Sequence, residues 1–262
     1  MQLVSESVEQ GVVEQRFDLP VDGESVPGIR WSPEGATAPR PTILIGHGGT
    51  QHKRVPNVLG LARRFVRHLG YEAVALDAPG HGERSDPETD RRRREAIEAR
   101  IAAGPDGVGR DLSPEGAKEW AARTTRGVAE WHALVDSLDA QGTGRRYGYW
   151  GVSMGTAIGL PFVASEPRIE VAVLGLAGLR ILPGAEGFEQ AARGLTIPVL
   201  LVLQWNDELV APSSGLALFD AIGSAEKTAH INPGGHVHIP LFERDAYEEF
   251  FLRHLGPADT AA

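Results

Sequence analysis

The sequence predicts a single α/β domain built around a mostly parallel β-sheet. Short apolar runs alternate with helical patterns from Pro41 onward, which is the order expected of repeated βα units. The chain has 262 residues, a length that fits one such domain with a full hydrophobic core. No internal repeat or low-complexity block interrupts the alternation. We therefore expect residues 1–262 to form one domain.

Apolar runs bounded by turn residues mark the predicted strands. Two runs that precede the alternation are predicted as antiparallel edge strands, at residues 11–19 and 26–32. The strands that follow are predicted at 42–45, 72–76, 147–150, 171–176, 198–203 and 228–231. Apolar residues at helical spacing predict helices at 55–69, 115–138, 156–165, 213–222 and 245–255.

Residues 83–120 are polar, charged and interrupted by prolines, which indicates an insertion. A short charged helix is predicted at 90–103. Its four arginines at 91–94 have acidic neighbours on both sides, as on a solvated helix face. The insertion is either a lid or a decoration, and it is the main candidate for controlling specificity because it follows the loop at 77–82.

Composition restricts the classes of function. The net charge is −9, which disfavours binding to a phosphate backbone, so nucleic acid is not an expected partner. The chain has no cysteine, which excludes disulfides and a cysteine nucleophile. Its first residues lack the features of a signal peptide, and no apolar run reaches the length of a membrane span. We expect a cytoplasmic protein that does not bind membranes.

The most informative motif is Gly-Val-Ser-Met-Gly at residues 151–155. It follows a predicted strand and precedes a predicted helix, so Ser153 is placed on a strand-to-helix turn. A sharp turn of this kind accepts only small residues two positions before and after the serine, and Gly151 and Gly155 meet that demand. The motif predicts a nucleophile elbow with Ser153 as the nucleophile.

A serine hydroxyl needs a histidine to take its proton and a carboxylate to orient that histidine. Asp207 follows the strand predicted at 198–203 and is the first choice for the acid, with Glu208 as its rival. His236 lies on a glycine-rich loop after the last predicted strand and is the first choice for the base. His238 and His230 are the alternatives, and a loop or capping role for Asp207 also stays open.

An oxyanion hole requires two backbone N–H donors. Met154, directly after the nucleophile, should supply one of them. The other should come from the glycine-rich loop at 46–50, with Gly49 as the first choice and Gly48 as the alternative. His47 is expected to support this loop, and the same glycines could simply make a tight turn.

With these motifs in their order, the chain resembles the α/β-hydrolase superfamily and, within it, serine esterases similar to the dienelactone hydrolase-like group. The resemblance covers about residues 41–255. It implies an eight-stranded, mostly parallel sheet with helices on both faces, and acyl transfer through an acyl-enzyme. Two departures matter. The chain lacks the cysteine nucleophile of dienelactone hydrolases proper, and only a small cap, at 177–196, follows the strand at 171–176.

The expected function is hydrolysis of small-molecule carboxylic esters by Ser153, His236 and Asp207, with neither cofactor nor metal. The spacing of the histidines fits no familiar zinc motif. A thioesterase, lactonase, amidase or perhydrolase could use the same triad, because a fold does not determine its chemistry. A ligand-binding scaffold without turnover is the alternative from a different class. Composition does not indicate an oligomeric state.

Overall fold

The computed structural model describes residues 1–104, 114–142, 144–179 and 185–258. The strands are β1 (Gln2–Glu9), β2 (Val12–Val21), β3 (Glu24–Pro33), β4 (Thr42–Gly46), β5 (Glu72–Leu76), β6 (Tyr147–Val152), β7 (Ile169–Gly175), β8 (Val199–Gln204) and β9 (Lys227–Asn232). The helices are α1 (Pro56–Leu69), α2 (Pro87–Ala103), α3 (Pro114–Asp139), α4 (Met154–Ser165), α5 (Ala185–Gly194), α6 (Pro212–Ala221) and α7 (Glu243–Leu255).

The strands form one mixed sheet in the order β1-β2-β3-β5-β4-β6-β7-β8-β9. Pairing is antiparallel from β1 through β3 to β5 and parallel across the rest of the sheet. The predicted α/β class with a mostly parallel sheet is therefore confirmed.

The strand count differs from the eight that the resemblance implies, because the described residues form nine strands. The additional strand is β1, which lies at the sheet edge outside β2. All eight of its residues are exposed, so no buried apolar run marks it in the sequence. Its pairing with β2 holds it in place.

Helices cover both faces of the sheet, as predicted. On one face, buried side chains of α3, α4, α5 and α6 pack against one set of strand residues, such as Leu44. On the other face, α1 and α7 pack against the alternate set, such as Ile43 and Ile45. This alternation follows from the two-residue period of a strand. None of the described helices combines the length and apolar character needed to cross a membrane.

The helices of the insertion begin at prolines. Asp86 caps α2 by accepting hydrogen bonds from the amides of Glu88 and Thr89, at 3.1 and 3.0 Å. Pro87 then takes the first helical position, where its missing N–H costs nothing. The helix therefore begins three residues before the predicted start at 90. Pro105, one of the prolines that suggested a broken segment, lies outside the described residues.

The segment 177–196, predicted to be a small cap, contains helix α5. Phe188 and Ala192 of α5 are buried in the same core cluster as α4. Within its described residues, this segment therefore contributes a packed helix of the sheet face. Helix α2 instead lies beside the loop that follows β5, where the Arg93 guanidinium donates to the Gly80 carbonyl at 2.8 Å.

Candidate active site

Ser153 occupies a strained turn between β6 and α4. Its backbone angles are φ 56° and ψ −118°, a combination that side-chain-bearing residues rarely adopt. The turn also brings α4 against β4 and β6. A Cβ at Gly155 would overlap the Gly46 carbonyl oxygen, and a Cβ at Gly151 would lie 2.8 Å from the Gly155 oxygen. Glycine is required at both positions, for the reason that the sequence motif suggested.

The turn is held by hydrogen bonds to β7. The Ser153 amide donates to the Gly175 carbonyl at 2.8 Å. The buried Thr156 hydroxyl donates to the Gly151 carbonyl at 2.7 Å and accepts from the Gly175 amide at 2.9 Å. These bonds fix the direction of the Ser153 side chain and stabilise the unfavourable backbone angles.

His236 lies between Ser153 and Asp207. Its Nε2 is 2.9 Å from Ser153 Oγ, and its Nδ1 is 2.9 and 2.8 Å from the two carboxylate oxygens of Asp207. With Nδ1–H donating to Asp207, Nε2 is left as the acceptor for the serine proton. The three predicted side chains therefore form one continuous hydrogen-bonded series, although they come from three separate loops.

Asp207 is buried and held by its own loop. Its Oδ1 accepts from the amides of Leu209 and Val210, at 2.8 and 2.9 Å. Glu208, the rival acid, instead accepts the backbone amide of His236 at 2.8 Å. Glu208 thus positions the histidine loop, and Asp207 contacts the histidine ring.

The alternative histidines lie elsewhere. His230, in β9, has its Nδ1 2.8 Å from Glu243 Oε2. His238 is exposed on the loop that follows His236. Neither is in contact with Ser153 in the described structure.

The loop after β4 lies against the elbow. A Cβ built on Gly49 would be 3.7 Å from the Met154 Cβ, so the two candidate oxyanion donors are neighbours. The Gly48 amide already donates to Gln51 Oε1 at 3.1 Å, whereas no acceptor for the Gly49 amide occurs among the described residues. The Met154 amide lies in the first turn of α4, where N–H groups lack intrahelical acceptors. Gly49 is therefore better suited than Gly48 to bind an oxyanion.

A cavity of about 440 Å³ opens beside Ser153. Its walls include Gly49, Met154 and His236, together with apolar side chains such as Trp150, Leu176 and Val210. A largely apolar cavity of this size, which contains a polarised serine, fits a small organic substrate.

Comparison with solved structures identifies a related protein. A cold-adapted esterase from an Arctic intertidal metagenomic library is 37% identical, with a TM-score of 0.79 over 97% of this chain and 100% of that chain. The chain belongs to the α/β-hydrolase esterases. No protein-family model and no curated protein matches it.

More distant structures share the fold of this esterase. An acetyl xylan esterase from Paenibacillus sp. R4 is 17% identical, with a TM-score of 0.73 over 97% of this chain and 88% of that chain. A dienelactone hydrolase from Anabaena variabilis is also 17% identical, with a TM-score of 0.64 over 94% of this chain and 100% of that chain. The resemblance to the dienelactone hydrolase-like group is thereby confirmed at the level of the fold.

Two buried histidines of the esterase support the Gly49 loop. His47 Nδ1 donates to the Gly48 carbonyl at 2.8 Å, and its Nε2 accepts from the Ala78 amide at 3.0 Å. Burial lowers the pKa of His47 to about 4, so the ring is neutral near pH 7. His81 Nε2 lies 2.9 Å from the Gly49 carbonyl oxygen, and burial also lowers its pKa. The predicted supporting role of His47 agrees with these contacts.

A buried ion pair anchors the other end of the same loop. Lys53 is 1% exposed and Asp77 is fully buried. Lys53 Nζ donates to Asp77 Oδ2 and to Glu83 Oε1, each at 2.6 Å. Burial by itself would raise the pKa of Asp77, but the hydrogen bonds from Lys53 and from the Lys53 and Glu83 amides outweigh it, and the pKa falls below its usual value. Lys53 was not among the predicted site residues, because nothing in the neighbouring sequence marks it as buried.

Helices α2 and α3 contribute cavity side chains that were not among the predicted site residues. Arg93, Ile97 and Arg100 of α2 line the cavity, as do Trp120 and Arg123 of α3. The three α2 positions are spaced by four and three residues, so they share one helix face. This spacing was visible in the sequence, but the charges on every side of α2 concealed it. The four-arginine run is thus not wholly solvated, because Arg93 faces inward.

The described residues contain no group of three or more histidine, cysteine or acidic side chains that could hold a metal ion. His47 and His81 lie close together, with ring centroids 5.4 Å apart. Their ring nitrogens are within hydrogen-bond distance of backbone groups, which leaves none of them free for a metal.

Proposed function

We propose that this esterase cleaves carboxylic esters of small molecules through an acyl-enzyme, with Ser153 as nucleophile, His236 as general base and acid, and Asp207 as the group that orients His236. The observation that carries the proposal is the hydrogen-bonded series from Ser153 Oγ through His236 to Asp207, with Oγ–Nε2 at 2.9 Å. This series begins at a strained elbow and opens into the cavity.

In the first half-reaction, Ser153 Oγ attacks the ester carbonyl carbon while His236 Nε2 takes the hydroxyl proton. The C–O bond to the alcohol then breaks, and the imidazolium returns its proton to the leaving alkoxide. The acyl group stays bonded to Ser153. The Asp207 carboxylate stabilises the transient imidazolium and keeps Nδ1 protonated.

In the second half-reaction, a water molecule takes the place of the alcohol. His236 removes a proton from the water, the hydroxide attacks the acyl carbon, and Ser153 leaves with the proton from His236. The products are a carboxylic acid and the free enzyme. Every proton is returned within the cycle, so the proposed reaction requires neither metal nor cofactor.

The negative charge of both tetrahedral intermediates develops on the former carbonyl oxygen. We assign its stabilisation to the amides of Gly49 and Met154, which neighbour each other and Ser153. Removal of one such donor typically costs on the order of 100-fold in rate or more. We also infer that residues 1–262 form one domain in which 83–120 is an insertion beside the cavity, since the sheet is continuous.

The test compares hydrolysis of p-nitrophenyl esters, from acetate to laurate, by the native protein and by Ser153→Ala and His236→Ala. We expect both variants to lose several orders of magnitude in kcat/KM. A fluorophosphonate probe should label Ser153 in the native protein.

Ser165→Ala is the matched control. Ser165 also belongs to a Ser–His–Glu series, in which His132 Nε2 is 3.1 Å from Ser165 Oγ and His132 Nδ1 is 2.9 Å from Glu166. Ser165 Oγ, however, donates to the Pro161 carbonyl at 2.8 Å and does not line the cavity. Ser165→Ala should keep full activity and labelling. Near-normal activity of pure Ser153→Ala protein would refute the proposed mechanism.

A further inference from the structure

The charged groups around the cavity are unusual for so acidic a chain. Its lining contains four arginines, Arg93, Arg100, Arg123 and Arg244, and within the described residues it contains no aspartate or glutamate. The whole chain carries a net charge of −9. The positive charge of the cavity therefore does not follow from composition and is a local property of the site.

Of the four, only Arg93 has a side-chain partner among the described residues. Arg93 is occupied, because its guanidinium lies 2.9 Å from Asp90 and 2.8 Å from the Gly80 carbonyl oxygen. Arg100 and Arg123 are half-buried, and within the described ranges neither has an ion pair or a side-chain hydrogen bond. Arg244 lies across the cavity on α7, beside Gly60 of α1.

On the solvent-facing side of α2, arginines have acidic partners. Arg91 pairs with Glu95 at 3.0 Å, and Arg92 pairs with Glu88 at 2.5 Å. The acidic side chains of α2 therefore pair with the exposed Arg91 and Arg92, whereas Arg100, which lines the cavity, has no acidic partner among the described residues. A helix that served only as a solvated cover would gain nothing from an unpaired guanidinium on its inner face.

Arg100 and Arg123 line the same cavity as Ser153 and His236. Burial lowers the pKa of Arg100, and the Asp207 charge opposes this effect, so Arg100 is close enough to feel that carboxylate. Asp207 itself is committed to His236. Arg123 is one of the positive charges that lower the pKa of His81, whose ring contacts the Gly49 carbonyl.

A half-buried guanidinium without an anion has lost hydration and gained no partner. A bound carboxylate would supply two acceptor oxygens in the geometry that guanidinium groups bind best. We propose that Arg100 and Arg123 form a subsite for a carboxylate carried by the substrate, so that the preferred substrates are monoanionic esters such as half-esters of dicarboxylic acids. This proposal rests on the proposed function of Ser153, His236 and Asp207.

The test uses pairs of esters that differ only in charge. Monoethyl adipate and ethyl 5-carbamoylpentanoate place the carboxylate or its neutral amide on the acyl side. The pair 4-acetoxybutanoate and 4-acetoxybutanamide places it on the alcohol side. We expect the native enzyme to prefer the anionic member of one pair by about 10-fold or more in kcat/KM, the scale of a charge-assisted hydrogen bond.

Substitutions test which arginines cause the preference for the anionic ester. Arg100→Gln and Arg123→Gln should each lower the ratio of anionic to neutral kcat/KM toward one, and Arg100→Lys should retain part of it. Arg91→Gln makes the same change of charge on the outer face of α2 and should leave the ratio unchanged. Raising the salt concentration should lower the ratio in the native enzyme, since salt screens partly exposed charges.

Equal rates on both members of both pairs would overturn the carboxylate subsite. So would a fall in the anionic-to-neutral ratio of kcat/KM in Arg91→Gln as large as in Arg100→Gln, because it would show that the preference comes from the overall positive charge of α2. Neither result would affect the Ser153 mechanism. If no ester is turned over, the proposed function fails, and calorimetric titration of Ser153→Ala with the same compounds still decides the subsite. Tighter binding of an anion than of its amide, lost when Arg100→Gln is added, would support it, and equal binding would refute it.

Discussion

The backbone around Ser153 distinguishes it from Ser165. Ser165 has a histidine and a carboxylate at similar distances, but its hydroxyl donates to a helix carbonyl and it does not line the cavity. Ser153 instead has positive φ, a neighbouring pair of candidate oxyanion amides and an open cavity. A Ser–His–acid series therefore does not by itself distinguish Ser153 from Ser165. The backbone conformation and the adjoining cavity distinguish them.

Gly155→Ala should disrupt the turn between β6 and α4 that holds Ser153. The added Cβ would overlap the Gly46 carbonyl oxygen, so α4 must move away from β4. We expect a loss of about 1–3 kcal/mol of stability and a fall in kcat of at least roughly 100-fold, since small displacements at a reacting centre are costly. Urea unfolding and ester hydrolysis measure the two effects.

Gly187→Ala is the control for that substitution. Gly187 is exposed in α5, and a Cβ there would meet nothing within 4 Å. This variant should be stabilised by about 0.5–1 kcal/mol and should keep full activity. Equal unfolding free energies and equal kcat values in the two alanine variants would contradict the steric explanation for Gly155.

His47 should make the stability depend on pH. Its pKa is lowered from 6.5 to about 4 by burial, so between these values the unfolded chain binds a proton that the folded chain does not. Stability contributed by the neutral ring is therefore complete above pH 6.5 and is lost as the pH falls toward 4. The loss is on the order of 3 kcal/mol.

Urea unfolding at pH 7 and pH 5 measures this dependence. In His47→Gln, whose side chain does not titrate, the fall in stability between the two pH values should be smaller than in the native protein by the contribution of His47. An identical fall in both proteins would show that the native His47 is not held neutral.

At the scale of elements, the loops after β4 and β5 are joined by a buried charge pair. Lys53 Nζ contacts Asp77 and Glu83, each at 2.6 Å, and the Lys53 amide donates to Asp77 Oδ1 at 2.9 Å. These bonds connect the loop that carries Gly49 to the start of the insertion. A change at either end can therefore displace Gly49, the candidate oxyanion donor, without contact with the substrate.

Lys53→Met should be strongly destabilising, because it leaves Asp77 charged and buried without its partner. Such losses are typically about 3–5 kcal/mol. Arg193→Met removes an exposed partner of Glu189 from α5 and should change the unfolding free energy little. Chemical denaturation of the two variants beside the native protein gives the comparison. Similar stabilities for all three proteins would show that the Lys53 pair does not anchor the loops.

At the scale of the whole molecule, the site lies where three layers meet. The sheet supplies the loops of Ser153, Asp207 and His236, and α1 and α7 cover one face. The face of α2 that carries Arg93, Ile97 and Arg100 lines the cavity. Since α2 buries no side chain completely, it contributes to the shape of the cavity more than to the core.

Replacement of residues 86–113 by a short Gly/Ser linker should therefore leave a folded protein with altered selectivity. Glu83 and Arg84 stay in place, because they contact Lys53 and Glu130. We expect Tm to change by only a few degrees, about the effect of 1 kcal/mol, while the ratio of kcat/KM for acetate and laurate esters changes severalfold. An unchanged ratio in a folded variant would identify the insertion as decoration.

The sequence by itself determined the fold class, the order of the strands from β2 onward and the choice of Ser153, Asp207 and His236 as candidates. These depend on local patterns: apolar periodicity, glycine at a sharp turn, and polar residues after parallel strands. The edge strand β1 escaped prediction because none of its residues is buried.

Only the tertiary structure shows that the Gly48 amide already donates to Gln51, that Asp207 contacts the His236 ring while Glu208 contacts its amide, and that Arg100 and Arg123 line the cavity. Most of these depend on contacts between segments distant in the chain, such as Glu208 with the His236 amide. No local pattern records such contacts, because they are set by how helices and loops pack around the finished sheet.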